Sequence, residues 1–287
     1  MIFISYAQNH EDVMLWRALK HVAHGFYIDV GAAWPEKHSV TKAFYERGWR
    51  GINIEPNQEL NRQLQVCRPN DKNLSFAIGD RECVLAMSFL GDTGLSTLDD
   101  SIAAMHSQTG WSSCRQDVQV STLAAIWEQY VPVGQPVHFL KVDVEGFEEA
   151  ALRGNDWSKL RPWIVVVEAT LPMSQIEAHE SWEPILLNAN YHFAYADGLN
   201  RFYVAGECPE LLPFFKYPPN VFDDFIVSDD HWPSRIQEAE ARAMHAEAKA
   251  AMAEARVTQA EAKLSAIYMS HSWQLTRPLR WIGQFFK

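Results

Sequence analysis

Residues 27–39, YIDVGAAWPEKHS, decide the fold class of this chain of 287 residues. The stretch from Tyr27 to Val30 predicts a buried strand, and Gly31 begins a turn toward a helix predicted from Ser39 to Arg47. A strand that ends in an acid and a glycine, at the first turn of an alternating strand-and-helix chain, is typical of a site for a nucleotide-like cofactor. The stretch therefore predicts an α/β fold with a cofactor at this turn.

The turn after Gly31 lacks the second and third glycines of the dinucleotide fingerprint, because Ala32, Ala33 and Trp34 follow it. A pyrophosphate would find no clear cradle here. S-adenosylmethionine (SAM) carries no pyrophosphate, and its zwitterionic amino-acid end and sulfonium suit an acidic turn with one glycine. We therefore expect SAM as the cofactor.

Acidic side chains also follow the next two predicted strands. Glu55 ends the strand from Ile52 to Pro56, about 20 residues beyond the glycine turn, where an acid can accept hydrogen bonds from both ribose hydroxyls of an adenosine cofactor. Taken alone, Glu55 would suit a helix N-cap or the surface; together with the glycine turn it favours ribose binding. The third strand, predicted from Leu74 to Ile78, precedes Asp80, which could border the adenine.

Carboxylates crowd the end of the fourth predicted strand, Val137 to Val142. Asp143 and Glu145 follow it directly, and Glu148 and Glu149 come a few residues later. Acids at the end of a strand that is buried on both faces indicate a function for Asp143 and Glu145. Glu148 and Glu149 instead suit the first turn of a solvated helix, where the helix dipole favours acids.

The fifth predicted strand, Trp163 to Val167, is followed by Glu168. Parallel strands place their carboxyl ends at one edge of a sheet. We therefore expect the acids that follow all five strands to lie at one edge, around the cofactor and its substrate.

Two further strands are predicted, from Tyr191 to Tyr195 and from Arg201 to Ala205, and the residues between them, ADGLN, suit a tight turn. If the first of the two is parallel to the preceding five, the turn lies at the cofactor edge and brings Asp197, Asn200 and Arg201 toward the substrate. Otherwise it is a hairpin turn alone.

In order and spacing, several stretches between residues 3 and 227 resemble the FkbM-type SAM-dependent methyltransferases: SYAQNHEDVMLWRAL, YIDVGA, SVTKAFYERGWRGINIEP, GLSTLD, LKVDVEGFEEAALRG, RPWIVVVEAT and DGLNRFYVA. The resemblance implies a class I methyltransferase (Rossmann-like) fold, with a seven-stranded mostly parallel sheet and helices on both faces. It also implies methyl transfer to a hydroxyl oxygen, often on sugars or polyketide-derived products. The implied cofactor contacts are Asp29, Gly31 and Glu55, with Asp143 near the methyl group; Ala32, Pro56 and Asp80 complete the predicted cofactor site.

Methyl transfer to a hydroxyl calls for a group that accepts the hydroxyl proton. Asp143, Glu145 and Glu168 are candidates by position, and the first two rank highest. His38 is a candidate by chemistry, although it suits a cap or a packing contact equally well. Two nearby carboxylates could also hold a divalent cation that binds vicinal hydroxyls, but no third ligand is visible in the sequence.

The composition limits the function classes. A formal net charge of −11 argues against nucleic acid as a partner, because binding to its backbone requires clustered Lys and Arg. The four cysteines are scattered without a CxxC pair, so we expect reduced thiols and no zinc site. The first residues lack a signal-peptide pattern, and no run is apolar enough to span a bilayer. We therefore expect a cytoplasmic protein.

Beyond a methyltransferase-like domain, residues 1–230, a seven-residue repeat of Ala, Glu, Lys and Arg occupies residues 231–269. From residue 236 to residue 267, apolar side chains fill positions a and d, and Glu at e would face Lys or Arg at g across a parallel pair. We therefore expect a homodimer through a parallel coiled coil. A single helix lying on the domain is the alternative, because most seam residues are alanine, which buries little area.

The last segment, residues 270–287, mixes aromatic and basic side chains in an otherwise acidic chain. Such a mixture suits peripheral attachment at the inner face of a membrane, or contact with a glycan-assembly partner. Folding back onto the domain is the alternative.

These features together predict a SAM-dependent O-methyltransferase that acts on a hydroxyl of a sugar, a glycan or a glycosylated natural product. A nicotinamide-dependent oxidoreductase would share the sheet and Glu55, but it would need the glycines that are missing after Gly31. A catalytically silent scaffold of a glycan-assembly complex would use the same fold and coiled coil without chemistry.

Overall fold

A computed structural model of the chain describes residues 2–90, 96–97, 113–171, 174–228, 257–258, 260–270 and 273. The chain divides into two compact units, Met1–Ser228 and Asp229–Lys287.

The first unit alternates strands and helices. Its described strands are β1 (Phe3–Ser5), β2 (Phe26–Val30), β3 (Arg50–Ile54), β4 (Lys72–Leu74), β5 (Ala77–Ile78), β6 (Cys83–Leu90), β7 (Ser96–Thr97), β8 (Ser113–Ser121), β9 (Phe139–Val142), β10 (Ile164–Glu168), β11 (Tyr191–Ala196), β12 (Asn200–Ala205) and β13 (Phe225–Val227). Its described α-helices are α1 (Glu11–Leu19), α2 (Lys42–Glu46), α3 (Gln58–Cys67), α4 (Leu123–Tyr130), α5 (Glu148–Arg153) and α6 (Glu183–Asn188). Short 3₁₀ helices cover His179–Ser181, Pro209–Phe215 and Val221–Asp223.

Seven of these strands form the central sheet, in the order β11-β12-β10-β9-β2-β3-β4. The pairings among β10, β9, β2, β3 and β4 are parallel. β12 is antiparallel to both β10 and β11, so β11 runs in the same direction as the first five strands. The sheet is therefore mixed, with six strands in one direction and β12 opposed. This arrangement agrees with the predicted mostly parallel sheet.

Helices cover both faces of this sheet. On one face, Leu123 of α4, Leu152 of α5 and Leu186 of α6 belong to a buried cluster with the apolar side chains of β2, β9 and β10. On the other face, Met14 of α1 and Phe44 of α2 belong to a second such cluster. Coverage on both faces explains why β2 and β10 are buried along their whole length and are almost continuously apolar.

The third predicted strand, Leu74 to Ile78, is wrong as a single element. β4 ends at Leu74, whose carbonyl accepts a hydrogen bond from the amide of Glu55. Ala77 and Ile78 pair instead with β8, in a separate four-stranded sheet of order β5-β8-β6-β7. The pattern of a short apolar run does not reveal that its two ends enter different sheets.

The helix predicted from Ser39 to Arg47 begins later than expected, at Lys42. The buried guanidinium of Arg68 donates to the hydroxyls of Ser39 and Thr41 at 2.6 Å each. Thr41 in turn donates to Asp29 at 2.9 Å. These hydrogen bonds hold residues 39–41 as a loop, so α2 starts only after it.

In the second unit, residues 260–269 are helical. Val257, Leu264 and Ile267, which the heptad pattern assigns to the apolar seam, are each more than half exposed. Residues 231–256, which carry most of the predicted coiled coil, lie outside the described residues. The coiled coil therefore stays a prediction.

The basic and aromatic tail also lies outside the described residues, apart from Ser270 and Trp273. Within the part of the chain that the structure covers, no helix combines the length and the apolar character that a bilayer crossing demands.

Candidate functional site

The turn after β2 depends on a glycine. Gly31 has a φ of +75°, and a Cβ at this position would lie 1.8 Å from the carbonyl oxygen of Asp143. The amide of Gly31 donates to the carbonyl of Ile54 at 3.0 Å. The turn thereby joins the carboxyl ends of β2, β3 and β9, and the acids that follow these strands meet at one edge of the sheet.

Glu55, directly after β3, is fixed beside this turn. Its Oε2 atom accepts a hydrogen bond from the amide of Ala33 at 2.9 Å, and its Oε1 atom accepts one from the amide of Asn57 at 2.8 Å. Burial raises the pKa of Glu55 to about 7, although the two amides and the charge of Lys141 act in the opposite direction. The carboxylate is thus oriented by the backbone, and each oxygen keeps a lone pair for a further donor.

Lys141 links the ends of β2 and β9. It pairs in register with Asp29, and its Nζ donates to the carbonyl of Gly31 at 2.9 Å. The same atom lies 3.2 Å from Oδ2 of Asp143 and 3.6 Å from Oδ1 of Asp29. Burial lowers the pKa of Lys141, but the charges of Asp143 and Asp29 outweigh burial and hold the pKa above its ordinary value. Lys141 was not predicted; a lysine within an apolar buried strand is the signal that would have found it.

Three predicted catalytic carboxylates converge where β9 and β10 end. Oxygen atoms of Asp143, Glu145 and Glu168 all lie within 4.8 Å of one another. Glu168 is 8% exposed, and its Oε2 atom is buried with no hydrogen-bond partner among the described residues. Burial first, and then the charges of Asp143 and Glu145, raise the pKa of Glu168 far above its ordinary value. These three residues therefore form one acid cluster.

The turn after Asp143 shapes the acid cluster. Glu145 and Gly146 both have left-handed backbones, with φ of 52° and 96°. The Oε1 atom of Glu148 accepts hydrogen bonds at 3.1 Å from the amides of Val144 and Gly146. Glu148 is buried, so the prediction that it is a solvated residue is wrong. Burial raises the pKa of Glu148 to about 7. Burial and the charges of Asp143 and Glu148 likewise raise the pKa of Glu145.

The turn between β11 and β12 lies at the same edge, because β11 runs parallel to the other strands that end there. The turn is therefore at the edge where the parallel strands end, which is the first of the two alternatives considered above. Asn200 pairs in register with Glu168 across β12 and β10. Its Nδ2 atom donates to Oε1 of Glu11 at 2.8 Å and to Oδ2 of Asp197 at 3.2 Å.

Arg201 is engaged elsewhere. Successive residues of a strand face opposite sides of the sheet, so Arg201 lies on the other face from Asn200. Its guanidinium donates to Glu183 at 2.8 Å and to the hydroxyl of Tyr203 at 3.0 Å. The alternation of β12 turns the side chain of Arg201 toward α6 and away from Asn200. A contact of Arg201 with the substrate stays a prediction.

Glu11, at the start of α1, was missed by sequence reasoning. It is 4% exposed, and besides Asn200 it binds the amide of Asn9 at 2.8 Å. Burial, and then the charge of Asp197, raise its pKa to about 8. The residues Glu11 and Asn200 are 189 positions apart in the chain, and no local pattern predicts such a contact.

His38 lies outside a helix and packs against a neighbouring ring. It has a φ of 57°, in the loop before α2 rather than at the start of a helix as predicted. Its ring meets that of Trp34 edge-on at 6.0 Å, and its backbone bridges to Ala7.

The other predicted cofactor residues differ in their positions. Ala32 is buried, and its amide donates to the carbonyl of Ile54 at 3.2 Å. Pro56 follows Glu55 and is partly buried. Asp80 is exposed and follows β5 of the smaller sheet, so its predicted position at the end of the third central strand is wrong because that strand ends at Leu74.

Comparison with known proteins gives one family. Residues 29–193, more than half of the chain, match the methyltransferase FkbM domain. The matched range begins at Asp29 and contains the Gly31 turn, Glu55 and the whole acid cluster. No curated protein sequence matches the chain.

Proposed function

The chain belongs to the FkbM methyltransferase family, and we propose that it transfers a methyl group from SAM to a hydroxyl of a sugar, a glycan or a glycosylated product. One observation carries the proposal: the Gly31 turn, the fixed carboxylate of Glu55 and the acid cluster meet at one edge of the central sheet. They supply a cofactor site and proton acceptors side by side.

The residues at this edge fit SAM. Glu55 offers oriented oxygens to the ribose hydroxyls. The Oδ1 atom of Asp29 is buried and has no hydrogen-bond partner within the described part of the chain, so it can accept a hydrogen bond from a bound ligand. Asp29 and Glu55 would hold the cofactor beside the turn that Gly31 makes possible. When bound, SAM supplies the methyl group as part of a sulfonium.

The same turn argues against a dinucleotide. The amides of Gly31 and Ala32 both donate to the carbonyl of Ile54, and the amide of Ala33 donates to Glu55. A pyrophosphate is normally bound by free amides of this turn. Here these amides are already hydrogen-bonded within the protein, which favours SAM over a nicotinamide cofactor.

The acid cluster provides proton acceptors for the attacking hydroxyl. Lys141 fixes the carboxylate of Asp143 from one side, at 3.2 Å. The raised pKa of Glu145 makes its ionised form a stronger base than an exposed carboxylate. Asp143 and Glu145 are therefore the favoured proton acceptors, while the protein contributes mainly by positioning the two reactants.

Incubation with methyl-tritiated SAM and a panel of monosaccharide and oligosaccharide glycosides tests this function. We expect tritium in an alkali-stable methyl ether on one or more acceptors. Label in an alkali-labile ester or in an amine would contradict transfer to a hydroxyl. Binding of NAD but not of S-adenosylhomocysteine (SAH) would favour the oxidoreductase, and binding of neither by the folded protein would favour the scaffold.

A further inference from the structure

We propose that Asp143, Glu145 and Glu168 form a binding site for a divalent cation of the Mg²⁺ class, which would hold the hydroxyl oxygens of the acceptor next to the cofactor. The inference rests on the proposed function for its role in the reaction, but not for the binding of the cation itself.

The geometry of the three carboxylates suits one ion. Asp143 and Glu145 follow β9, and Glu168 ends β10, which pairs with β9 in parallel register. Two adjacent strand ends thus present three oxygen atoms within 4.8 Å of one another. A single cation at their centre can contact all three.

A second observation concerns Glu168. The residue is more than nine-tenths buried, and Oε2 has no hydrogen-bond partner among the residues that the structure describes. A buried carboxylate oxygen without a partner is costly, and a bound cation removes that cost. Because Glu168 belongs to the acid cluster, the carboxylate that carries the unpartnered oxygen is one of the three that would bind the cation.

Lys141 does not satisfy Glu168. Its ammonium is engaged by the carbonyl of Gly31 and the carboxylates of Asp143 and Asp29. The acid cluster has three carboxylates, and Glu148 lies beside it with its Oε1 atom bound to backbone amides. When these acids are ionised, as they would be around a cation, one lysine does not balance their charge.

The donor set selects the type of ion. Three carboxylates without His or Cys suit hard cations such as Mg²⁺, Mn²⁺ or Ca²⁺ rather than Zn²⁺ or Cu²⁺. Such ions bind about six or more oxygen atoms, so three protein ligands leave positions for water and for acceptor hydroxyls. Vicinal hydroxyls, as on a sugar, match this remaining coordination.

Titration of the metal-free full-length protein with Mn²⁺, followed by electron paramagnetic resonance of the free ion, tests the site. We expect one Mn²⁺ per chain, displaced by Mg²⁺. Glu168→Gln should weaken Mn²⁺ binding by about tenfold or more. Glu149→Gln is the matched control, because Glu149 pairs with Arg153 at 2.6 Å and lies outside the acid cluster. This variant should bind Mn²⁺ with the same affinity as the unmodified chain.

Circular dichroism establishes that each variant is folded. Absence of Mn²⁺ binding by the folded unmodified chain, or equal affinity in Glu168→Gln, would overturn the inference. Titration with SAH in the absence of metal separates the two proposals. SAH binding without Mn²⁺ binding would leave the proposed function in place and overturn the cation site. Mn²⁺ binding without SAH binding would support the cation site and contradict the proposed function.

Discussion

At the scale of single residues, the carboxyl edge of the central sheet concentrates buried acids, which protein interiors otherwise avoid. Glu11, Glu55, Glu148 and Glu168 are each less than a tenth exposed. Burial raises the pKa of every one of them. Such a cost is expected where side chains are held in place for a ligand rather than for stability.

Gly31→Ala should damage both the fold and the site. The new Cβ would meet the carbonyl of Asp143, and alanine disfavours the left-handed backbone of this turn. We expect the free energy of unfolding in urea to fall by about 2 kcal/mol or more. Gly48→Ala is the control, because Gly48 has a φ of +86° but no atom of the described residues lies within 4 Å of its Cβ position. Equal losses in the two variants would contradict the close approach of Asp143.

The convergence of Asp143, Glu145 and Glu168 could be predicted from the sequence, because each follows a central strand and carboxyl ends of parallel strands share one edge. Their catalytic roles stay predictions. Glu11 could not be found, because its partner Asn200 is remote in the chain. Lys141 was overlooked, although a lysine within an apolar buried strand is itself a signal, and its ion pairs with Asp29 and Asp143 accompany its burial.

At the scale of elements, α1 holds the end of the first unit. The guanidinium of Arg17 donates to both carboxylate oxygens of Asp223 at 2.6 Å. It also donates to the carbonyls of Phe214, Tyr217 and Pro218 at 2.7 to 3.0 Å. One side chain thereby fixes two of the 3₁₀ helices and the loop between them.

Arg17→Lys should loosen this segment. A lysine keeps the charge but lacks the planar fork that binds a carboxylate and several carbonyls together. We expect faster hydrogen exchange of the amides in residues 213–223, measured by mass spectrometry, with the central sheet unchanged. Arg153→Lys is the control, because Arg153 makes an exposed pair within one helix. Unchanged exchange in Arg17→Lys would refute the role of the fork.

Strands and helices could be predicted where the apolar pattern is long. Their ends were harder to predict where hydrogen bonds or pairing with residues remote in the chain determine them. The strands β2, β9 and β10 follow from their apolar runs. The start of α2 depends on hydrogen bonds from Arg68, which no local pattern contains. The break after Leu74 depends on a second sheet whose strand β8 lies about 40 residues further along the chain.

At the scale of the whole molecule, the buried acids make stability depend on pH. Their pKa values are higher in the folded state than in the unfolded chain, for example about 8 for Glu11 and about 7 for Glu55 and Glu148. The folded state therefore binds more protons, and stability is lost as pH rises from the ordinary carboxyl range through these values.

We expect a higher melting temperature at about pH 6.5 than at about pH 8.5, with a slope of up to about 1.4 kcal/mol per pH unit for each group. Glu11→Gln should reduce the difference, because it removes one of the titrating groups. A melting temperature that rises with pH over this window would contradict the burial of these acids.

The sequence of the second unit predicts a homodimer. The heptad pattern predicts a parallel homodimer, and the exposure of Leu264 and Ile267 in the described helix leaves their apolar side chains available to a second copy. Ala260→Glu, at a seam position, should convert the dimer to a monomer in light scattering. Ala262→Glu, on the outer side of the helix, should leave it dimeric. Light scattering that shows a monomeric unmodified chain would contradict this prediction.

Calorimetric titration of the full chain with SAH tests the proposed SAM site at the Gly31 turn. The unmodified protein should bind one SAH per chain, and Glu55→Ala should lose about tenfold or more in affinity, because the ribose hydroxyls lose their acceptor. Glu59→Ala, which removes an exposed carboxylate nearby, should bind like the unmodified chain. No binding by the folded protein, or equal affinity in Glu55→Ala, would contradict a SAM site at the Gly31 turn.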